Sequence, residues 1–101
     1  MPPAPRTIRL TPRARADLDA IWSFTRQRWS THNADAHVRT IARAFDDIAS
    51  DAASGLRADN IRTGYFRLLV GAHVLFYREA GPGVIEIVRI LHQRMDVSRH
   101  L

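Results

Sequence analysis

Residues 64–92 read GYFRLLVGAHVLFYREAGPGVIEIVRILH, and the period of this stretch decides the fold. From Gly64 the apolar pattern changes to period two, the spacing of β-strands. Tyr65–Val70, His73–Glu79 and Val84–His92 read as three strands. Gly71-Ala72 is the first turn and Ala80-Gly81-Pro82-Gly83 the second. The first turn predicts that Val70 faces His73, Leu68 faces Leu75 and Phe66 faces Tyr77. A second turn centred on Gly81-Pro82 predicts that Tyr77 faces Glu86, Leu75 faces Val88 and His73 faces Ile90.

Side chains alternate across a strand, so this register sorts them into two faces. One face carries Phe66, Leu68, Val70, Leu75, Tyr77, Val88 and Ile90 and is expected to pack on helices. The other carries Arg67, Arg78 and Arg89 among Leu69, Val74, Phe76, Ile85, Ile87 and Leu91. Neighbouring like charges cost energy in a sheet, and an anionic partner would relieve them. The plainer account is a solvated face with Glu79 or the tail as counterion. The surrounding residues are too apolar for a face that meets only water.

Upstream the period becomes helical. Thr7–Leu10 is a short strand candidate, and Thr11-Pro12 reads as an N-cap followed by proline at the first helical position. Ala14, Leu18, Ile21, Trp22, Thr25 and Trp29 form one amphipathic stripe, with Asp17 and Asp19 toward the positive end of the helix. The two tryptophans face either the core or a partner. Ser30 to Asn33 has turn chemistry. Ala34, Val38, Ile41, Phe45, Ile48 and Ala52 mark a second helix. Two long helices joined by so short a turn are antiparallel neighbours. The expected fold is α+β: an N-terminal strand, an antiparallel helical hairpin, then a three-stranded antiparallel β-meander.

The chain has 101 residues, which suits one domain, 1–101. Residues 1–5 read as a flexible lead-in, 54–60 as a polar loop and 93–101 as a C-terminal tail. Zero cysteines exclude a disulfide framework, a thiolate metal site and a cysteine nucleophile, and they fit a reducing cytosol. No apolar run approaches the roughly 20 residues needed to cross a membrane, and the amino end lacks a secretory pattern. A cytoplasmic location is expected. All 15 basic residues are arginine, against 10 acids. Residues 1–32 hold six arginines and two aspartates, residues 33–60 three arginines and five aspartates, and residues 61–101 six arginines and three acids. Such a surface attracts an acidic partner or nucleic acid.

Few residues carry chemistry. Nucleophile elbows, phosphate loops and dinucleotide fingerprints are absent. Asp46 and Asp47 are adjacent on a helix and point apart. His32 and His37 do not share a helical face. On the expected register His73 and His92 lie on paired strands but not opposite each other, no Cys or Asp/Glu cluster converges on them, and two nitrogen ligands without a third make a poor zinc site. His92, at the end of the last strand, either shuttles protons near neutral pH or caps the strand. No metal or cofactor is implied.

Four segments now combine: LTPRARADLDAIW from Leu10, RTGYFR from Arg62, HVLFYR from His73 and VIEIVRILHQRMD from Val84. In this order and spacing they resemble the ParE toxins of the RelE/ParE superfamily, over nearly the whole chain after Pro5. The resemblance implies the fold derived above. It also implies a toxin of a type II toxin–antitoxin module, associated with plasmid stabilisation. Such toxins are similar in inhibiting DNA gyrase by binding and are not hydrolases. A ParD-like antitoxin with an acidic, wrapping C-terminal segment neutralises them, and DNA is reached only through that antitoxin.

The sister RelE branch cuts mRNA on the ribosome, using basic residues and a late tyrosine or histidine on the same sheet. This chain has no tyrosine after His92 and no lysine, but Arg67, Arg89 and His92 would make a reduced nuclease set. A third possibility is a non-toxic relative that only completes a repressor complex. The expected partner-binding residues are Arg62, Arg67, Arg78, Arg89, His92 and Arg94. An acidic strand or helix would cover the apolar edges of so small a fold.

Overall fold

A computed structural model describes residues 4–101. Met1 to Pro3 of the expected lead-in lie outside the described residues. The chain runs β1 (Thr7–Leu10), α1 (Pro12–Arg28), α2 (Thr31–Ala49), β2 (Leu56–Arg57), β3 (Tyr65–Val70), β4 (His73–Gly81) and β5 (Val84–His92), ending in a 3₁₀ turn at Val97–Arg99. The strands form one sheet in the order β1-β5-β4-β3-β2. The fold is the expected α+β one. β1 lies at the edge, parallel to β5, and the meander is antiparallel.

The helices form where the caps allow. The Thr11 hydroxyl accepts the Ala14 N–H at 3.0 Å and Pro12 opens α1. The Ser30 hydroxyl accepts the Asn33 N–H at 3.0 Å, so α2 already begins at Thr31. The hairpin turn is therefore Trp29-Ser30 rather than the expected four residues. Likewise α2 stops at Ala49, short of Ala52. One face of the sheet receives the hairpin. Ala14, Ile41, Ala44, Phe45 and Ile48 meet Leu75, Tyr77, Ile85, Ile87 and Ile90 in a continuous core.

The first β-hairpin has the predicted register: Val70 opposite His73, Leu68 opposite Leu75, Phe66 opposite Tyr77. Gly71 at φ 61° suits the first position of a two-residue turn that needs positive φ there. The second hairpin differs. Its turn is Pro82-Gly83, with Gly83 at φ 71° after the proline. Ala80 on β4 and Val88 on β5 are each unopposed, making two bulges. Tyr77 therefore faces Ile87, not Glu86, Leu75 faces Ile90, not Val88, and His73 faces His92, not Ile90. The extra residue at Val88 reverses side-chain parity. Ile85 and Ile87 consequently join the helix-side core, against expectation, and Val88 leaves it. A further difference is the two-residue β2 inside the expected polar loop, paired with Phe66 and Arg67.

The Val88 bulge is held by Thr11. Its N–H donates to the Ile87 carbonyl at 3.0 Å and its hydroxyl donates to the Val88 carbonyl at 2.7 Å. One threonine thus caps α1 and stabilises the bulge. Replacement by valine keeps the shape but removes the cap, worth about 1 kcal/mol, and a hydrogen bond worth about 1 kcal/mol. Thr11→Val is expected to lower unfolding free energy in urea by about 2 kcal/mol. A loss within the roughly 0.5 kcal/mol of an ordinary surface change would contradict this role.

Candidate functional site

The sheet face away from the helices carries the arginines. Arg67 and Arg89 are both register partners of Phe76, and Arg78 lies opposite Tyr65 and Glu86. Their guanidinium groups differ in employment. Arg89 makes paired hydrogen bonds to the Asp17 carboxylate at 2.8 and 2.9 Å and donates to the His100 carbonyl at 2.8 Å. Both side chains of this ion pair are only 14% exposed. Asp17 also accepts the Ile90 N–H at 2.9 Å. It lies beyond the first turn of α1 and serves the edge of β5 rather than the helix dipole. The hydrogen bond from Arg89 to Asp17 raises the arginine pKa further, against burial.

Arg78 donates to Glu86 at 3.0 Å, and Arg9 reaches the other oxygen of the same carboxylate at 2.9 Å. Burial pushes the Glu86 pKa up, but the two arginines outweigh it and hold it below the ordinary value. Arg62, Arg67 and Arg94 form no ion pair among the described residues. Arg62 lies over the ring of Tyr65 at 5.8 Å. The expected tail does not hang free: the Gln93 N–H donates to the Ala72 carbonyl at 2.8 Å, and His100 meets Arg89.

His92 belongs to the other face. It sits directly opposite His73, correcting the expectation that the two are offset. The turn at Pro82-Gly83 shifts the register by two residues and brings them together, while the bulges at Ala80 and Val88, on opposite strands, cancel. Their rings meet edge-on at 5.4 Å, and His37 of α2 completes a trio, with Nε2 at 3.3 Å from Nδ1 of His73. Arg67 and Arg89 lie on the outer face while His92 lies on the helix side, so the reduced nuclease set does not converge. Among the described residues no three ligating side chains are arranged to hold a metal ion. The signal for the trio was present: a two-residue Pro82-Gly83 turn, counted outward to residues 73 and 92, makes them partners.

The histidines line a groove of about 780 Å³ between the second half of α1 and the ends of β4 and β5. Its apolar walls include Ile21, Phe24, Trp29, Leu91 and Met95. Phe24 is 61% exposed, Trp29 72% and Met95 41%. Trp22 instead turns toward α2 and donates to Asp35 at 2.9 Å. The stripe on α1 outruns the sheet, so its last turns find no cover. Arg26 and Arg28 stand beside the groove, stacked on Trp22 and Phe24 at 5.5 and 5.3 Å, and neither has an ion-pair partner among the described residues.

Burial, together with the positive charge that His37 and His92 would carry, pushes the His73 pKa below its ordinary value of 6.5. A group whose folded pKa is depressed below its unfolded one favours folding while it is neutral. That stability is full above about pH 6.5 and drains away as pH falls through the folded value. The melting temperature of the chain is therefore expected to fall on acidification below about pH 6.5, and His73→Gln to flatten the fall. Identical profiles for the two proteins would contradict the assignment.

Residues 8–97 match the family model described as ParE toxin of type II toxin–antitoxin system, parDE. Toxin ParE1 of Mycobacterium tuberculosis is 46% identical over 92 residues, covering 91% of this chain and 94% of that protein. Toxin ParE1 of Caulobacter vibrioides is 43% identical over 97 residues, covering 95% and 98%. Among solved structures, a chain of the chromosomal ParDE system from P. aeruginosa superposes with a TM-score of 0.75 at 21% identity, covering 89% of this chain and 98% of that one. A chain of the toxin–antitoxin complex RelBE2 from M. tuberculosis gives 0.55 at 25%, covering 87% and 98%. The family model spans both helices, the bulged sheet and the groove wall between them, and on that match the chain belongs to the ParE toxins of type II toxin–antitoxin systems.

Proposed function

We propose that this chain is a toxin that acts by binding, inhibits DNA gyrase and so arrests replication, and is neutralised by a ParD-like antitoxin. The observation that carries the non-enzymatic reading is the division of the sheet. Arg89 is committed to Asp17, Arg67 stands alone on the same face, and His92 lies on the opposite face. Phosphodiester cleavage needs an acid, a base and phosphate-stabilising cations within reach of one phosphate. The ribonuclease reading of the RelE branch lacks that convergence.

Two features support the antitoxin. The groove offers exposed Phe24, Trp29 and Met95, and unpaired arginines stand beside it. An acidic amphipathic segment suits both, with apolar side chains in the groove and carboxylates toward Arg26, Arg28 and Arg94. Arg62 and Arg67 offer a second cationic surface on the outer face, for the target or for the rest of the antitoxin. Arg78 and Arg89 contribute there mainly by shape, since their charges are matched internally. In this reading DNA is reached only through the antitoxin.

Purified chain added to a gyrase supercoiling reaction is expected to abolish supercoiling, and added to in-vitro translation to leave mRNA intact. Antitoxin encoded beside its gene should restore supercoiling. Cleaved mRNA with normal supercoiling would overturn this reading in favour of the RelE branch. Arg67→Glu is expected to weaken binding of the partner that meets the outer face by about tenfold, the scale of a lost charged hydrogen bond. Affinity and salt dependence equal to the unaltered chain for both antitoxin and gyrase would remove Arg67 from the interface.

A further inference from the structure

The histidine trio is left over once the groove is assigned to a partner. An apolar groove gains nothing from three imidazoles unless they meet something polar. We propose that His37, His73 and His92 form a receiving site for one carboxylate side chain of the segment that fills the groove. This rests on the reading that the groove takes an acidic partner.

The nitrogens are arranged for it. His92 Nδ1 accepts the Arg94 N–H at 3.1 Å, so the neutral ring carries its proton on Nε2. No hydrogen bond engages that Nε2 among the described residues. His37 and His73 share one proton across 3.3 Å, and the neutral pair keeps its second N–H on an outer ring nitrogen, free to donate to a ligand beside Nε2 of His92. A carboxylate entering the groove would also favour one further proton, which charges the pair and makes both outer nitrogens donors.

The surroundings contain no competing anion. Among the described residues lining the groove, α2 contributes the uncharged Asn33 beside His37, and β5 contributes Ile90 and Leu91 beside His92; on β3 the uncharged Val70 lies opposite His73. From α1 the one acid lining the groove is Asp17, whose oxygens are already held by Arg89 and the Ile90 N–H. Arg94, in the turn after β5, adds positive charge at the rim. Empty, the site disfavours charge on His73, through burial and repulsion from its two neighbours. Filled by a carboxylate, it favours the charged form. Binding must therefore take up a proton.

Titration calorimetry of the chain with the antitoxin encoded beside its gene tests this, run from about pH 8 to about pH 6 at fixed ionic strength in two buffers of different ionisation enthalpy. About one proton should be taken up per complex, and affinity should rise as pH falls, by up to about tenfold per pH unit. His73→Gln should abolish the uptake and the pH dependence while retaining binding at high pH. His92→Gln, judged on the same readouts, covers the case in which the first variant does not fold. An affinity that is flat or falls on acidification would overturn the proposal, a fall being what an apolar occupant expelled by charged imidazoles would give. Uptake unchanged in the variants would overturn it as well. A complex without proton uptake removes only this subsite, whereas the absence of any complex removes the antitoxin reading with it.

Discussion

The outer edge of β5 has a strand beside it only as far as Ile87, and α1 completes that edge with side chains. Thr11 takes the carbonyls of Ile87 and Val88, and Asp17 takes the N–H of Ile90 while gripping Arg89. Unpaired strand groups away from water cost about as much as lost hydrogen bonds. These contacts therefore fix where α1 starts and how far along β5 it travels. The second half of a helix pinned at Thr11 and Asp17 faces the ends of β4 and β5 across a groove. Phe24 and Trp29, on its wall, stay exposed.

The same contacts accommodate the bulge that separates the surfaces. Before Val88, the residues of β5 that face the helices are Ile85 and Ile87; after it, they are Ile90 and His92. Arg89 falls on the outer side, where its charge is matched by Asp17. Arg89 and His92, three residues apart on a regular stretch of β5, fall on opposite faces, and the inserted Val88 puts Arg89 outside and His92 beside His73. The outer face keeps Arg67, which has no ion-pair partner among the described residues, and the helix side keeps an apolar cleft lined by histidines.

Much of this was legible in the sequence. Thr11-Pro12 marks the start of α1, the stripe from Ala34 to Ile48 marks α2, and a two-residue turn at Gly71-Ala72 dictates the first hairpin register. The second hairpin was not legible because β5 is apolar on both faces. Val84, Ile85, Ile87, Val88, Ile90 and Leu91 give no parity signal, so nothing in the pattern marks Val88 as the extra residue. β2 is two residues long and carries no period at all. The role of Asp17 was hidden for another reason. Its position predicts an interaction with its own helix, but its partners lie more than 70 residues away. The exposed Trp29 follows the apolar stripe faithfully; only the length of the sheet beneath it decides that it has no cover.

The account stands on the pairing of Asp17 with the β5 edge, and a double-mutant cycle measures it directly. Asp17→Asn, Arg89→Gln and the double variant would be unfolded in urea alongside the unaltered chain. The account predicts a coupling of about 2 kcal/mol, above the roughly 1 kcal/mol ceiling of exposed ion pairs and below the loss from breaking a fully buried one. It also predicts faster hydrogen exchange at the Ile90 amide in Asp17→Asn. Additive single effects with unchanged Ile90 exchange would contradict it.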